Sequence, residues 1–108
     1  MNYQIMLTID LPNADNGTRD SYYAELNELQ MEKVDIVETG WRGVLNNFDN
    51  ENEAVKSFIF SLQHISRKLN APANVLFQVG NKKALCFEIA EDGKLKPSSQ
   101  LKIQLLDW

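Results

Sequence analysis

The sequence has few of the residues that characterise disulfide-rich, fibrous or disordered chains. It contains one cysteine, three prolines and five glycines in 108 residues. A lone cysteine cannot form an intramolecular disulfide, which is typical of a reducing compartment. Proline and glycine are too sparse for a collagen-like or disordered chain, and no internal repeat occurs. With 44% hydrophobic residues, the composition favours a single domain over residues 1–108.

Long apolar runs are also missing. The N-terminus has no basic segment followed by an apolar run, and no stretch is long enough to cross a bilayer. We therefore expect a cytoplasmic protein that does not enter a membrane. The sequence also lacks a Walker loop, a metal-finger spacing, a nucleophile elbow and a dinucleotide fingerprint.

Charge is distributed unevenly along the chain, whose formal net charge is −4. Residues 1–54 carry 11 acidic and 3 basic side chains, whereas residues 55–108 carry 4 acidic and 8 basic ones. A net-acidic chain is a poor non-specific ligand for nucleic acid, because that affinity comes from the release of cations by basic side chains. The second half still allows a local basic surface, although solvated charges are the simpler interpretation.

The first eleven residues alternate as a half-buried strand does. Odd positions from Tyr3 to Leu11 are apolar, and the opposite face carries Gln4, Met6, Thr8 and Asp10. Asp10 lies near the end of this strand, before a turn that begins at Pro12. It is the one candidate for chemistry, and its structural alternative is ordinary turn formation.

A helix and a hairpin follow. The pattern predicts a helix with Thr18 as its N-cap that extends to about Lys33. Strands at 34–38 and 41–45 are predicted around a turn at Thr39 and Gly40. Trp41 is expected to be half-buried, with base stacking as the weaker alternative.

The strongest helical pattern begins at Asn50, which forms a capping-box pair with Glu53, and ends at Asn70. Phe60 and His64, the only histidine, fall off its apolar stripe, so we expect both to be exposed. The apolar stripe of this helix consists of Val55, Phe58, Ile59, Leu62, Ile65 and Leu69.

Strands are predicted at 74–79 and 84–90, with a last strand around 101–105 that pairs with a sheet edge or with another subunit.

This order predicts an α+β fold of the ferredoxin-like β-α-β-β-α-β type, with additional C-terminal strands. Right-handed crossovers would place two helices on one face of an antiparallel sheet, in the strand order fourth, first, third, second. The first strand would then be central, and its mixed outer face would be available for pairing. In this arrangement, four basic residues are expected near Asp10 and are candidates for nucleic-acid binding: Arg19, Arg42, Arg67 and Lys68.

The opening strand, which ends in TIDLP, and the helix with Arg19 near its start resemble the small CRISPR adaptation proteins. The same stretch is similar to the hydrophobic-Asp-hydrophobic-Pro pattern of the GhoS-type antitoxin endoribonucleases. The resemblance covers about the first 45 residues as a pattern and the remainder only as an order of elements. It implies a homodimer in which Asp10 of each subunit contributes to one divalent metal site.

Two functions remain open from the sequence. The first is a metal-dependent endoribonuclease or RNA-binding regulator of a defence or toxin–antitoxin system, acting as a homodimer. In it, two Asp10 carboxylates would share Mg²⁺ and arginines such as Arg19, Arg42 or Arg67 would orient the phosphate. The second is a non-enzymatic protein-binding module, such as an immunity protein, an antitoxin or a phage-encoded inhibitor. The predicted fold alone does not separate them.

Overall fold

The computed structural model describes residues 1–34 and 39–97, which form an α+β structure of six strands and two helices. No helix in these two ranges is both long and apolar enough to cross a membrane. The elements in chain order are β1 (Tyr3–Asp10), α1 (Asn16–Glu28), β2 (Glu32–Lys33), β3 (Gly40–Leu45), α2 (Glu51–Leu69), β4 (Ala73–Val79), β5 (Leu85–Ile89) and β6 (Leu95–Pro97).

The strands form one open sheet in the order β2-β3-β1-β4-β5-β6. Every neighbouring pair is antiparallel. β1 therefore lies in the interior of the sheet, with β3 on one side and β4 on the other.

The core lies between the sheet and the two helices. Ile5, Leu7 and Ile9 of β1 are buried, and they belong to one cluster with Tyr22 and Leu26 of α1. The buried stripe of α2 completes this cluster. Both helices thus cover the same face of the sheet, as predicted, and within residues 1–34 and 39–97 no helix covers the opposite face. The residues of α2 that belong to this core cluster are Ala54, Val55, Phe58, Leu62 and Ile65.

The α2 helix confirms the predictions from its sequence. Asn50 is the N-cap, and its Oδ1 accepts the backbone N–H of Glu53 at 2.9 Å. Asn70 takes a left-handed conformation at φ 52°, and the N–H of Ala71 donates to the carbonyl of Ser66 at 2.9 Å. This 6→1 bond is the Schellman ending of a helix.

The predicted bounds of the first helix are wrong at both ends. Its N-cap is Asp15, not Thr18: the backbone N–H of Thr18 donates to Asp15 Oδ1 at 2.7 Å and lowers the pKa of that carboxyl. The helix ends at Glu28, and Gln30 follows with φ 66°. The N–H of Met31 donates to the carbonyl of Leu26 at 3.1 Å, which closes the helix before Lys33 is reached.

Short edge strands also differ from the predictions. β2 occupies Glu32–Lys33, within the segment predicted as helix, and most of the strand predicted at 34–38 lies outside the described residues. β6 forms at Leu95–Pro97, where no strand was predicted. The strand predicted at 101–105 lies outside the described residues. Trp41 is buried instead of half-buried, with 2% exposure, and its ring packs 5.2 Å from that of Tyr23.

Candidate functional site

The most distinctive surface of this protein is the side of the sheet that the helices do not cover, which we call the open face. On β1 it carries the exposed residues Gln4, Met6, Thr8 and Asp10. Because residues paired across neighbouring strands share a face, the pairing extends this surface through the other strands. The pairing adds three residues to the open face: Arg42 is opposite Met6, Val44 is opposite Gln4, and Leu76 is opposite Thr8.

The open face has an apolar patch, formed by Met6, Val44 and Leu76. Their exposed fractions are 56%, 43% and 38%, respectively. A shallow depression of about 210 Å³ lies between Met6 and Leu76 and reaches Ala84, and a second one of about 290 Å³ extends past Val44 to Arg42. Val44 and Leu76 are the diagonal neighbours of Met6 on the two flanking strands. Exposed apolar side chains that group in this way, and are not scattered singly, are typical of a contact surface.

Asp10 is exposed on the open face at the end of β1. The pairing places it opposite Asn74, and Asn74 is opposite Glu88 of β5. Across residues 1–34 and 39–97, no group of three or more histidine, cysteine, aspartate or glutamate side chains could hold a metal ion. The described residues of one chain therefore offer no complete set of metal ligands, and the two-subunit Mg²⁺ site that the resemblance implies stays a prediction.

Arg42 is the one predicted phosphate-binding residue that lies on the open face. Its Nε is 3.4 Å from Glu32 Oε2, in an exposed ion pair between β3 and β2. Arg42 pairs with Met6, four residues before Asp10 on β1, so the two Cα positions are separated by about 13 Å along the strands. The sheet does not bring Arg42 to Asp10.

The other three predicted cations belong to the helix layer or to its entry. Arg19 donates to Asn16 Oδ1 at 3.3 Å and to the carbonyl of Ala14 at 3.4 Å, at the start of α1. Lys68 of α2 forms an ion pair with Glu25 of α1. Arg67 also lies on α2, and it is exposed. The structure thus distributes Arg19, Arg67 and Lys68 over surfaces other than the open face, and their nucleic-acid role stays a prediction.

The helix layer contains a buried polar pair that sequence patterns do not show. The hydroxyls of Tyr22 in α1 and Ser66 in α2 lie 2.7 Å apart, and both residues have 0% exposure. Burial raises the pKa of Tyr22 to about 12. Because 44 residues separate the two positions, no local spacing could have revealed the pair. It joins the two helices and is part of the scaffold.

The two side chains with reactive chemistry outside this scaffold lie apart from each other. His64 is exposed on α2, as predicted, and Cys86 is half-buried on the open face opposite Leu76.

The apolar patch itself was only partly visible in the sequence. Val44 and Leu76 are out of phase with the buried positions of their strands, but only the pairing shows that they join Met6.

Comparison with known proteins gives no family for this chain: no family model, no curated protein and no solved structure matches it.

Proposed function

We propose that this chain is a small cytoplasmic regulatory protein that acts by binding another protein through its open face, without catalysing a reaction. Immunity proteins, antitoxins and phage-encoded inhibitors work in this way, and we place the chain in that class. The observation that carries the proposal is the apolar patch of Met6, Val44 and Leu76, which lies exposed on three neighbouring strands.

The fold supports this proposal. We propose that β1 to β4 and the two helices follow the ferredoxin-like arrangement, because β1 lies between β3 and β4 and both helices cover one side. The strands β3, β1 and β4, which carry the apolar patch, are each paired with a neighbour on both sides. A surface that is already ordered before it binds loses little conformational entropy on binding, which favours affinity.

The surroundings of the patch suit recognition of a protein. Charged side chains border the apolar patch, among them Arg42 and Glu32 on one side. An apolar centre with a polar rim is the usual anatomy of a protein interface. The ion pair at the rim would contribute more to the choice of partner and to the rate of association than to affinity.

Site-specific photocrosslinking tests this function. A chain with Leu76→benzoylphenylalanine should give a defined adduct in cells that express it at its natural level, because position 76 is part of the apolar patch. The matched control is Ser57→benzoylphenylalanine, on the exposed side of α2. The adduct at position 76 should disappear when Met6→Lys is added. Equal adducts at positions 57 and 76, or none at position 76, would refute binding through the open face.

A second candidate, a metal-dependent endoribonuclease or RNA-binding homodimer, is favoured by one observation, the exposure of Asp10 on the open face. One chain does not supply a ligand set in the described residues, so this candidate requires a second Asp10 from a partner subunit. Its test is RNA cleavage with Mg²⁺, in salt low enough to preserve phosphate contacts. We then expect Asp10→Asn to reduce cleavage by orders of magnitude while the melting curve stays unchanged. Intact RNA and DNA after incubation with the wild-type chain and Mg²⁺ or Mn²⁺ would exclude this candidate.

A further inference from the structure

The three side chains of the apolar patch lie on one straight diagonal of the open face. Leu76 of β4 is paired with Thr8 of β1, which is two residues from Met6. Val44 of β3 is paired with Gln4, which is two residues from Met6 in the other direction. Each step along the diagonal therefore crosses one strand, about 4.8 Å, and advances two residues, about 6.7 Å, so neighbouring patch residues are about 8 Å apart. The patch is thus a linear series of three apolar side chains.

The chain runs towards the start of this diagonal as β6 ends. Pro97, the last residue of β6, is paired with Phe87, and the pairing of β5 with β4 and of β4 with β1 continues this row of residues to Ile9. The next row in the direction in which β6 runs is that of Leu76, two strands away. In the plane of the sheet, Pro97 is therefore about 10 Å from Leu76. From there, the diagonal continues in the direction of β6, across β1 and β3.

The sequence after β6 has a matching series. Residues 98–108 lie outside the described residues, and their sequence carries Leu101, Ile103 and Leu105 at alternate positions. Alternate side chains of an extended chain lie on one side, about 6.7 Å apart. Lys102 and Gln104 would then lie on the other side, towards solvent. An extended segment of this sequence therefore offers three apolar side chains at nearly the spacing of the patch.

The connection has the length that this contact requires. Packed layers of extended chain lie about 10 Å apart, and about 10 Å in the plane separates Pro97 from Leu76, so a segment above Leu76 is about 14 Å from Pro97. Four residues lead from Pro97 to Leu101, and in extended conformation they span at most about 13–14 Å. Leu101 therefore reaches Leu76, and each further step of two residues along the segment follows the diagonal to its next residue.

We infer that residues 101–105 bind the open face of their own chain along the diagonal, with Leu101 on Leu76 and Ile103 on Met6, and that a partner protein must displace them. This inference rests on the proposed function, because it names the regulation of the same open face. Tethering gives the segment an effective concentration of the order of millimolar, so a contact that is weak between separate molecules is populated within one chain. The open fraction then sets the apparent affinity for the partner, which is lower than the intrinsic affinity.

The thiol of Cys86 tests this contact in the full chain without a label. Cys86, the only cysteine, is half-buried opposite Leu76, so a segment that binds Leu76 also limits access to its sulfur. Ile103→Lys places a charge against the patch and should release the segment. We expect dithionitrobenzoate to react with Cys86 at least ~10-fold faster in this variant than in the wild type, because the rate follows the open fraction. Equal rates in the two chains would overturn the inference.

Two matched controls carry the same added charge elsewhere. Gln104→Lys adds it to the opposite side of the segment, and Phe60→Lys adds it to the exposed side of α2. Both should keep the wild-type rate of the thiol reaction, and circular dichroism should show all variants folded. High salt screens the added charges from the anionic reagent. If either control reacts as fast as Ile103→Lys, the effect comes from added charge and the inference fails.

A change on β1 distinguishes this contact from an extension of β6 along the edge of the sheet. Met6 is three strands from β6 and two from Cys86, so a segment paired with the edge of β5 does not reach Met6. We expect Met6→Lys to accelerate the thiol reaction as Ile103→Lys does. A fast reaction in Ile103→Lys with a wild-type rate in Met6→Lys would assign the segment to the edge and overturn the inference.

Crosslinking from position 76 separates the inference from the proposed function. In the purified full chain with Leu76→benzoylphenylalanine, the inference requires an adduct to residues 98–108 of the same molecule, found by mass spectrometry of the monomer band. An adduct between two chains, or none with this segment, would overturn it.

In cells, adding Ile103→Lys to the chain with the probe at position 76 should raise the yield of the adduct with the partner protein. A partner adduct whose yield does not change would overturn the inference and leave the proposed function in place. An adduct within the chain, with no partner adduct in either variant, would refute the proposed function and leave only the contact within the chain.

Discussion

The buried hydroxyl pair between the two helices allows a stability prediction with both a magnitude and a pH dependence. Tyr22→Phe removes one hydroxyl and leaves that of Ser66 without its partner at 2.7 Å. A lost hydrogen bond, together with a buried polar group that is no longer satisfied, costs about 1–3 kcal/mol. We therefore expect Tyr22→Phe to lower the free energy of unfolding by that amount at neutral pH. Urea denaturation followed by circular dichroism measures it.

The double variant makes this reasoning refutable. Ser66→Ala alone should cost a similar amount, since it leaves the Tyr22 hydroxyl buried with 0% exposure of its residue. Replacing both partners removes the unsatisfied group, so the double variant should be less destabilised than the sum of the single variants by about 1–2 kcal/mol. Strict additivity of the two changes would show that the hydroxyls do not stabilise each other.

The raised pKa of Tyr22 predicts how this difference changes with pH. The pKa is about 12 in the folded chain, against an ordinary value of 10.0. When the pH is below 10, the Tyr22 hydroxyl is protonated in both the folded and the unfolded chain, and its contribution to stability is fully present. As the pH rises from 10 towards 12, only the unfolded chain ionises, so about 3 kcal/mol is lost progressively. The advantage of the wild type over Tyr22→Phe should therefore shrink or reverse in this window; a constant difference up to about pH 12 would contradict the assigned burial.

Two further changes test the packing. Phe58→Ala should lower the free energy of unfolding by about 3–5 kcal/mol, because the ring is 2% exposed, whereas Phe60→Ala, two positions away and 67% exposed, should change it by less than about 0.5 kcal/mol in urea melts of the monomer. Equal losses of unfolding free energy in the two variants would mean that the buried face assigned to α2 is wrong. Gly43→Ala should cost about 1–2 kcal/mol in the same assay, because the new Cβ would lie 2.7 Å from Met31 Sδ and 3.2 Å from the Gln30 carbonyl oxygen. An unchanged or raised stability would show that the thioether moves aside freely.

Local patterns in the sequence were sufficient for the parts of the fold that depend on near neighbours. The alternation of β1 identified its buried and open faces, because successive side chains of a strand point to opposite sides. The stripe and both ends of α2 were predicted correctly, because both ends depend on hydrogen bonds between residues close in the chain. Asn50 accepts from the N–H three residues later, and the N–H of Asn70 donates to carbonyls three and four residues earlier. The exposure of Phe60 and His64 followed from the same periodicity.

Competing local signals explain the errors in the first helix. Asp15 and Thr18 are both good N-caps, and the aspartate is the residue whose carboxylate accepts the amide of the third helical position. At the other end, Gln30 adopts the left-handed conformation that glycine or asparagine usually occupies, so the sequence carries no stop signal there. The short strands β2 and β6 form on neighbours that are already in the sheet, and two- or three-residue strands have no periodicity to detect.

Contacts between distant residues were decided by the tertiary structure alone. Sheet register places Met6 beside Arg42 and Gln78, and Leu76 beside Cys86, so the apolar patch and the charges around it exist only after four segments have paired. The alternation of residues placed Asp10 at a strand end, but it did not show how far Asp10 lies from the predicted cations. Side chains far apart in the chain become neighbours only through strand pairing, which local periodicity does not encode.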